Sequence, residues 1–260
     1  MLPCRDIPVS ENSTHDGTGT AATDRDPSSP SDRFAPGTFS IAARDPDTGA
    51  FGVAVSTALV GVGALCPFVS ENAAVATQSY VKVSHGRNAV DLADRGVSVT
   101  TACEALLKDD PHDTYRQLHG VTDDDAFRYT GDDCVDWAGD LAGDDHTVAG
   151  NMLDGGDVIE AVSRGYAEAD GGFADRLIAG LEAGQAAGGD KRGKISAALL
   201  VAAPDPKLYH NLRVDNSDDP VDELRAAYDL AVETEAELPA VAEDQLGEYP
   251  DAIVDFGIKR

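Results

Sequence analysis

The chain has 260 residues, enough for one sizeable domain or two small ones, and 42% of them are hydrophobic, as in ordinary globular proteins. Its 47 Asp and Glu against 20 Lys and Arg give a formal net charge of −27. Such a surface repels itself unless salt screens it, which marks an acidic, halophilic protein. Nucleic-acid backbones demand clustered Lys and Arg, and only DKRGK at Asp190–Lys194 is dense in them, so no nucleic-acid partner is expected.

Residues 1–36 are rich in Ser, Thr, Asp, Pro and Gly, bury little, and read as a disordered acidic tail. The folded domain is expected over 37–233. Phe39–Arg44 and Phe51–Ser56 read as two strands around the turn signal DPDTG, and Ala73–Ser79 as a third. GRNAVDLADRG and SVTTACEALLKDD read as helices, the second capped by Ser98, with Val99, Ala102, Cys103 and Leu106 on its inner face. A hairpin over QLHGVTDDDAFRYTG and a strand at HTVAGNML follow. Two amphipathic helices are expected over Val158–Ala169 and Phe173–Ala187, the latter stopped by Gly188-Gly189. ISAALLVAA and LYHNLRVD read as paired strands, the first apolar on both faces and so covered on both sides. PVDELRAAYDLAVE reads as a helix entered through Asp219-Pro220. Residues 234–260 read as an acidic C-terminal extension. Strands in runs and helices in pairs argue for an α+β fold with two sheets face to face and helices outside each.

Cys4, Cys66, Cys103 and Cys134 show no CxxC spacing, and the last three read as small buried residues of a reduced, cytoplasmic protein. The histidines lack metal-ligand spacing, and neither a P-loop nor a GxGxxG after a strand occurs, so no metal and no cofactor are expected. No apolar run reaches the ~18 residues of a membrane span, and no membrane partner is expected.

Alternation on the first strand sends Phe39 and Ile41 into a core and Thr38, Ser40 and Ala42 the other way. Gly52, Ala54 and Ser56 form a low-bulk face on the second. Small and polar residues are thus expected to line one side of the hairpin and leave room for a ligand.

The stretches GTFSIAARDPDTGAFGVAVS, AAVATQSYV, WAGDLAGDDHTVAGNML, LEAGQAAGGDKRGKISAALLV and LRVDNSDDPVDEL together resemble the domain-of-unknown-function family 1028, from Thr38 to about Leu230. That family is placed among the N-terminal nucleophile (Ntn) hydrolases. The resemblance implies a four-layer αββα sandwich and an amidohydrolase acting on a small amide or peptide-like substrate. It implies Thr38 as the nucleophile and its own α-amine as the base; an amine of pKa about 7.7–8 suits that task near neutral pH. Relatives in that family usually carry this threonine directly after the initiator methionine, whereas here 37 residues precede it. Exposure then requires self-cleavage after Gly37, trimming by another protease or a start further downstream; otherwise the site is inactive. Asn151 is the candidate oxyanion donor, or else a turn residue. Asp190 and Arg192 either orient the amine and hold a substrate carboxylate or pair with each other in a turn. Ser56, Gln78 and Ser196 are the candidate substrate-binding residues. The alternative is a non-catalytic binding or assembly protein that keeps the sandwich, and homo-oligomerisation is left open.

Overall fold

The computed structural model describes residues 37–135 and 137–246, the last eight as helix backbone alone. The expectations for residues 1–36 and for the end of the C-terminal extension lie outside the described residues.

Strands β1 (Thr38–Asp45) and β2 (Ala50–Thr57) form the first hairpin. Its turn is held by Asp45, whose carboxylate accepts from the Thr48 hydroxyl at 2.8 Å and whose carbonyl accepts from Gly49 N, also at 2.8 Å. Gly49 adopts φ 72°, a left-handed conformation open to glycine without a Cβ penalty. This turn sets the register: Asp45 faces Ala50, and counting back, Thr38 faces Thr57.

Two antiparallel sheets and five helices make up the described chain. The larger sheet adds β7 (Gly139–Ala142), β8 (His146–Asn151), β9 (Ser196–Ala202) and β10 (Asn211–Val214), in the order β10-β9-β2-β1-β8-β7. The smaller runs β3-β4-β5-β6, from β3 (Pro67–Val69), β4 (Ala74–Ser79), β5 (Arg116–Val121) and β6 (Ala126–Thr130). Helices α1 (Val83–Ala93) and α2 (Val99–Lys108) link β4 to β5. Helices α3 (Asp157–Glu168) and α4 (Phe173–Ala186) link β8 to β9, and α5 (Pro220–Leu246) follows β10.

Three buried clusters hold these elements together. Phe39, Ile41, Val148 and Leu199 pack with Val162, Leu177, Leu181 and Leu224 of α3, α4 and α5. Ala42, Phe51, Val53 and Val55 meet Ala74, Ala76 and Val121 of the smaller sheet. Val75 and Leu118 pack with Val90, Val99, Cys103 and Leu107 of α1 and α2. As the apolar pattern of ISAALLVAA requires, β9 feeds two clusters, with Leu199 in the first and Ala198 in the second.

Ser98 caps α2 as expected, its hydroxyl accepting from Thr101 N at 3.2 Å. Four local expectations shift. The strands β3 and β7 are short, and their Pro- or Gly-bearing sequences carry no clear period of two. Helix α1 begins at Val83, ahead of GRNAV. In LYHNLRVD only Asn211–Val214 is strand, because Leu208–His210 forms a turn tied by Lys207 N to His210 Nδ1 at 3.0 Å. Helix α5 runs through Leu246, so the boundary expected at 233 falls inside it; the segment TEAEL is built of good helix formers apart from its threonine.

The low-bulk face of β2 also has a different task. Gly52 pairs with Ala43, and Ser56 with Phe39, so Gly52, Ala54 and Ser56 lie on the helix side, opposite Thr38. A Cβ on Gly52 would stand 2.6 Å from Leu177 Cδ1 and 2.9 Å from the Phe173 ring. The small residues admit α4, and the room expected there for a ligand is filled.

Candidate active site

Residues facing one another across neighbouring strands share a face of the sheet. By register, Ser196 on β9, Thr57 on β2, Thr38 on β1 and Asn151 on β8 form one transverse row. All four are buried, and they occupy the end of the face that looks toward the smaller sheet.

Thr38 stands at the start of a central strand. Its hydroxyl donates to Thr57 Oγ1 at 3.2 Å. The Thr57 hydroxyl in turn donates to the carbonyl oxygen of Gly37, which also accepts from Arg192 Nη2 at 3.3 Å. The hydroxyl of Thr38 is therefore wired, through one intermediate hydroxyl, to the carbonyl of the peptide bond that precedes it.

Asp190 and Arg192 sit beside this bond. A single β-bridge from Asp190 to Leu153 and a bond from Lys191 N to Met152 O at 3.1 Å dock their loop against the end of β8. The buried Asp190 carboxylate accepts from Ala58 N at 3.0 Å and Arg192 N at 2.9 Å. It also accepts from Arg192 Nε at 3.2 Å and Nη2 at 2.8 Å. The two residues thus pair with each other, and the pair as a whole abuts Gly37.

Asn151 lies opposite Thr38 on its other flank and donates from Nδ2 to Gln117 Oε1 at 3.0 Å. Gln117 Oε1 also accepts from Gln78 Nε2 at 2.7 Å, while its own Nε2 faces Gly150 O, Gly139 O and Thr130 Oγ1 at 2.8–3.0 Å. Donors converge on one end of this amide and acceptors on the other, which fixes its orientation and with it that of Asn151. Gln78 joins the site through Gln117, and its Oε1 accepts from the Ser40 hydroxyl at 2.5 Å.

Since the Ser40 hydroxyl donates to Gln78, it accepts from His119 Nε2 at 2.8 Å. His119 Nδ1 then accepts from the Thr147 hydroxyl at 2.9 Å. Burial pushes the His119 pKa down to about 4, so the ring is neutral at pH 7. Ser196 shares the row of Thr38, but its hydroxyl donates to Leu59 O at 2.5 Å and accepts from Val62 N at 3.1 Å, anchoring the loop after β2. Ser56 is on the far side of the sheet, its hydroxyl buried without a partner among the described residues.

Thr57, Gln117, His119 and Thr147 were not singled out from the sequence. Polar residues at alternate positions in QLHGV, with Leu118 between them in a core, are the signal that marks Gln117 and His119. Two non-glycine residues in the described chain have positive φ, Ser79 at 64° and Met152 at 52°. They directly follow Gln78 and Asn151, and strain of this kind gathers at functional sites.

Elsewhere, Lys82 belongs to a separate cluster in which Asp110 binds Lys82 Nζ at 3.2 Å, Arg116 Nε at 2.9 Å and His85 Nε2 at 3.4 Å. Cys66 is buried and its thiol is pushed up to about 12 by desolvation, which makes it inert as a nucleophile. Among the described residues no group of three or more His, Cys, Asp or Glu is placed to hold a metal ion, and no helix is long and apolar enough to cross a membrane.

Residues 38–224 match the family described as "Family of unknown function (DUF1028)". The crystal structure of protein SPO2555 from Silicibacter pomeroyi, which carries the same family label, is 31% identical to this chain. It superposes with a TM-score of 0.71 over 75% of this chain and 86% of that one. No curated protein matches. The matched stretch opens on Thr38 and closes on Leu224 in α5, spanning every element of both sheets, and the chain belongs to the DUF1028 family.

Proposed function

We propose that this chain is an Ntn-type amidohydrolase in which Thr38, freed of the residues before it, attacks a small amide or peptide-like substrate. The observation that carries this reading is the hydroxyl relay from Thr38 through Thr57 to the Gly37 carbonyl, with Arg192 on the same oxygen. The three successive cores support the matching architecture, a helix–sheet–sheet–helix sandwich of four layers.

In the uncut chain the Thr38 nitrogen is an amide and has no basicity. Thr38 Oγ1 attacks the Gly37 carbonyl carbon, its proton passes toward Thr57, and Thr57 and Arg192 stabilise the charge that develops on the carbonyl oxygen. The C–N bond breaks as the ester to Oγ1 forms, and the proton ends on the released amine. Water then hydrolyses the ester, leaving a carboxylate on Gly37 and a free hydroxyl and amine on Thr38. In the mature protein that amine, with a pKa near 8, takes the hydroxyl proton during attack on substrate. Thr57 and Arg192, which hold the Gly37 carbonyl oxygen, are assigned as donors to the substrate's carbonyl oxygen, with the amide of Asn151, opposite Thr38 on the next strand, as the third.

Two measurements test the reading. Protein made without residues 1–37, with Thr38 exposed by methionine removal, is expected to be acylated on Thr38 by a β-lactone, as located by mass spectrometry. Thr38→Ser is expected to retain the reaction and Thr38→Ala to lose it while keeping its fold. Intact mass of the full chain reports self-cleavage, with a product beginning at Thr38. A full chain that stays uncut, together with a truncated chain that the lactone leaves unmodified, would favour a binding or assembly protein instead.

A further inference from the structure

The bond before Thr38 also carries information about what the site admits. Gly37 is buried, and a Cβ built on it would stand 2.5 Å from Asp190 Oδ2 and 2.6 Å from Asp190 Oδ1 and Cγ. These distances are well inside contact, so the Asp190 carboxylate lies against the Gly37 α-carbon on the side where every other L-residue carries its side chain.

The carboxylate cannot step aside. Four N–H groups hold it, from Ala58 and from the backbone and guanidinium of Arg192. Its own backbone is pinned by the bridge to Leu153 and by Gly193 N on its carbonyl at 3.0 Å. Movement would leave a buried charge and its donors unmatched.

We propose that Asp190 is a specificity-determining residue that restricts the site to acyl groups without an L-substituent on the α-carbon, the glycyl class of amides. The inference rests on the reading of Thr38 as nucleophile. The acyl group that a substrate leaves esterified to Thr38 Oγ1, its carbonyl oxygen on Thr57 and Arg192, is placed as Gly37 is in the ester of self-cleavage. Its α-carbon then falls where Gly37 Cα lies, with the Asp190 carboxylate against it. The chemistry is the same as in self-cleavage: the bond from Thr38 Oγ1 to the acyl carbon forms, the bond to the leaving group breaks, and water releases the acid.

The test uses the protein lacking residues 1–37 and two probes, the 4-nitrophenyl esters of N-acetylglycine and N-acetyl-L-alanine. Rates of nitrophenol release are taken above those of Thr38→Ala and divided by each ester's hydroxide-catalysed rate. The glycine ester is expected to react at least about tenfold faster, the discrimination that crowding by one methyl imposes on a packed site. Asp190→Asn keeps the bulk and is expected to keep the preference, while Asp190→Ser makes room and is expected to narrow it. Equal normalised rates, or a faster alanine ester, with both above Thr38→Ala, overturn the specificity and leave the nucleophile standing. If neither ester reacts faster with the protein than with Thr38→Ala, the nucleophile reading fails and this inference with it.

Discussion

The hydroxyl of Thr57 accepts from Thr38 and donates to the Gly37 carbonyl, so a residue of the same shape without a hydroxyl breaks the relay and little else. Thr57→Val is expected to slow lactone labelling of Thr38 by about 10²-fold, the scale of losing one oxyanion donor, with the melting temperature nearly unchanged. Thr57→Ser is expected to recover most of the rate. His119 offers a different reading at this scale. Its pKa in the folded protein is about 4, against about 6.5 when exposed, so between these values the unfolded chain binds the extra proton. Its neutral form contributes no penalty above pH 6.5, and stability falls as the pH drops from there toward 4, by about 3 kcal/mol at the end of the window. Burial lowers His85, His146 and His210 in the same direction. Asp110, held well below the usual carboxylate range by Arg116, His112 N and Lys82 against the cost of its burial, gives way only at lower pH. Denaturant unfolding at pH 7 and pH 4.5 is therefore expected to show a steeper loss in the wild type than in His119→Gln. Equal losses in the two would mean that His119 is charged in the fold.

Among the elements, β2 is the one whose two faces are most easily exchanged by a reader of the sequence. The alternation within β1 and within β2 was legible, as was the turn between them. The phase of one strand against the other depends on how many residues the turn consumes. Counting from Asp45 opposite Ala50 puts Thr57, not Ser56, beside Thr38. Gly52→Ala is accordingly expected to cost about 1–3 kcal/mol by crowding Leu177 and Phe173. Lactone labelling of Thr38 is expected to be unaffected, and a changed labelling rate would return Gly52 to the ligand side. The contacts of Ser40 were less accessible to sequence reasoning. His119 lies 79 positions away and Gln78 lies 38 away, on the other sheet. No local pattern carries the way two sheets are laid on one another. The core-facing residues Phe39 and Ile41, by contrast, follow from period alone.

For the molecule as a whole, the described ion pairs engage cations that are scarce against an excess of acid. Arg225 is shared between Asp175 and Glu182, and Lys207 between Asp205 and Glu235. Most acidic groups of the described residues are exposed, and a net charge of −27 makes the compact state costly when unscreened. At 1 M salt the screening length is about 3 Å, against about 30 Å at 0.01 M. Thermal melting is expected to rise steadily with salt from 0.01 M to above 1 M, and a melting temperature independent of salt would count against charge repulsion as the dominant cost.

The order β10-β9-β2-β1-β8-β7 puts the strand that begins the fold in the middle of its sheet. On the ribosome β1 and β2 can pair at once, yet the outer edge of β1 stays open until residue 151 has emerged. At ordinary synthesis rates that wait is roughly 5–20 s. Arg192, the second donor to the Gly37 carbonyl, emerges later still. A nascent chain therefore carries Thr38 for most of its synthesis with Thr57 beside it but without Asn151 and Arg192. On the Ntn reading proposed above, the bond before Thr38 becomes a timer, safe from self-cleavage until Arg192 has been made.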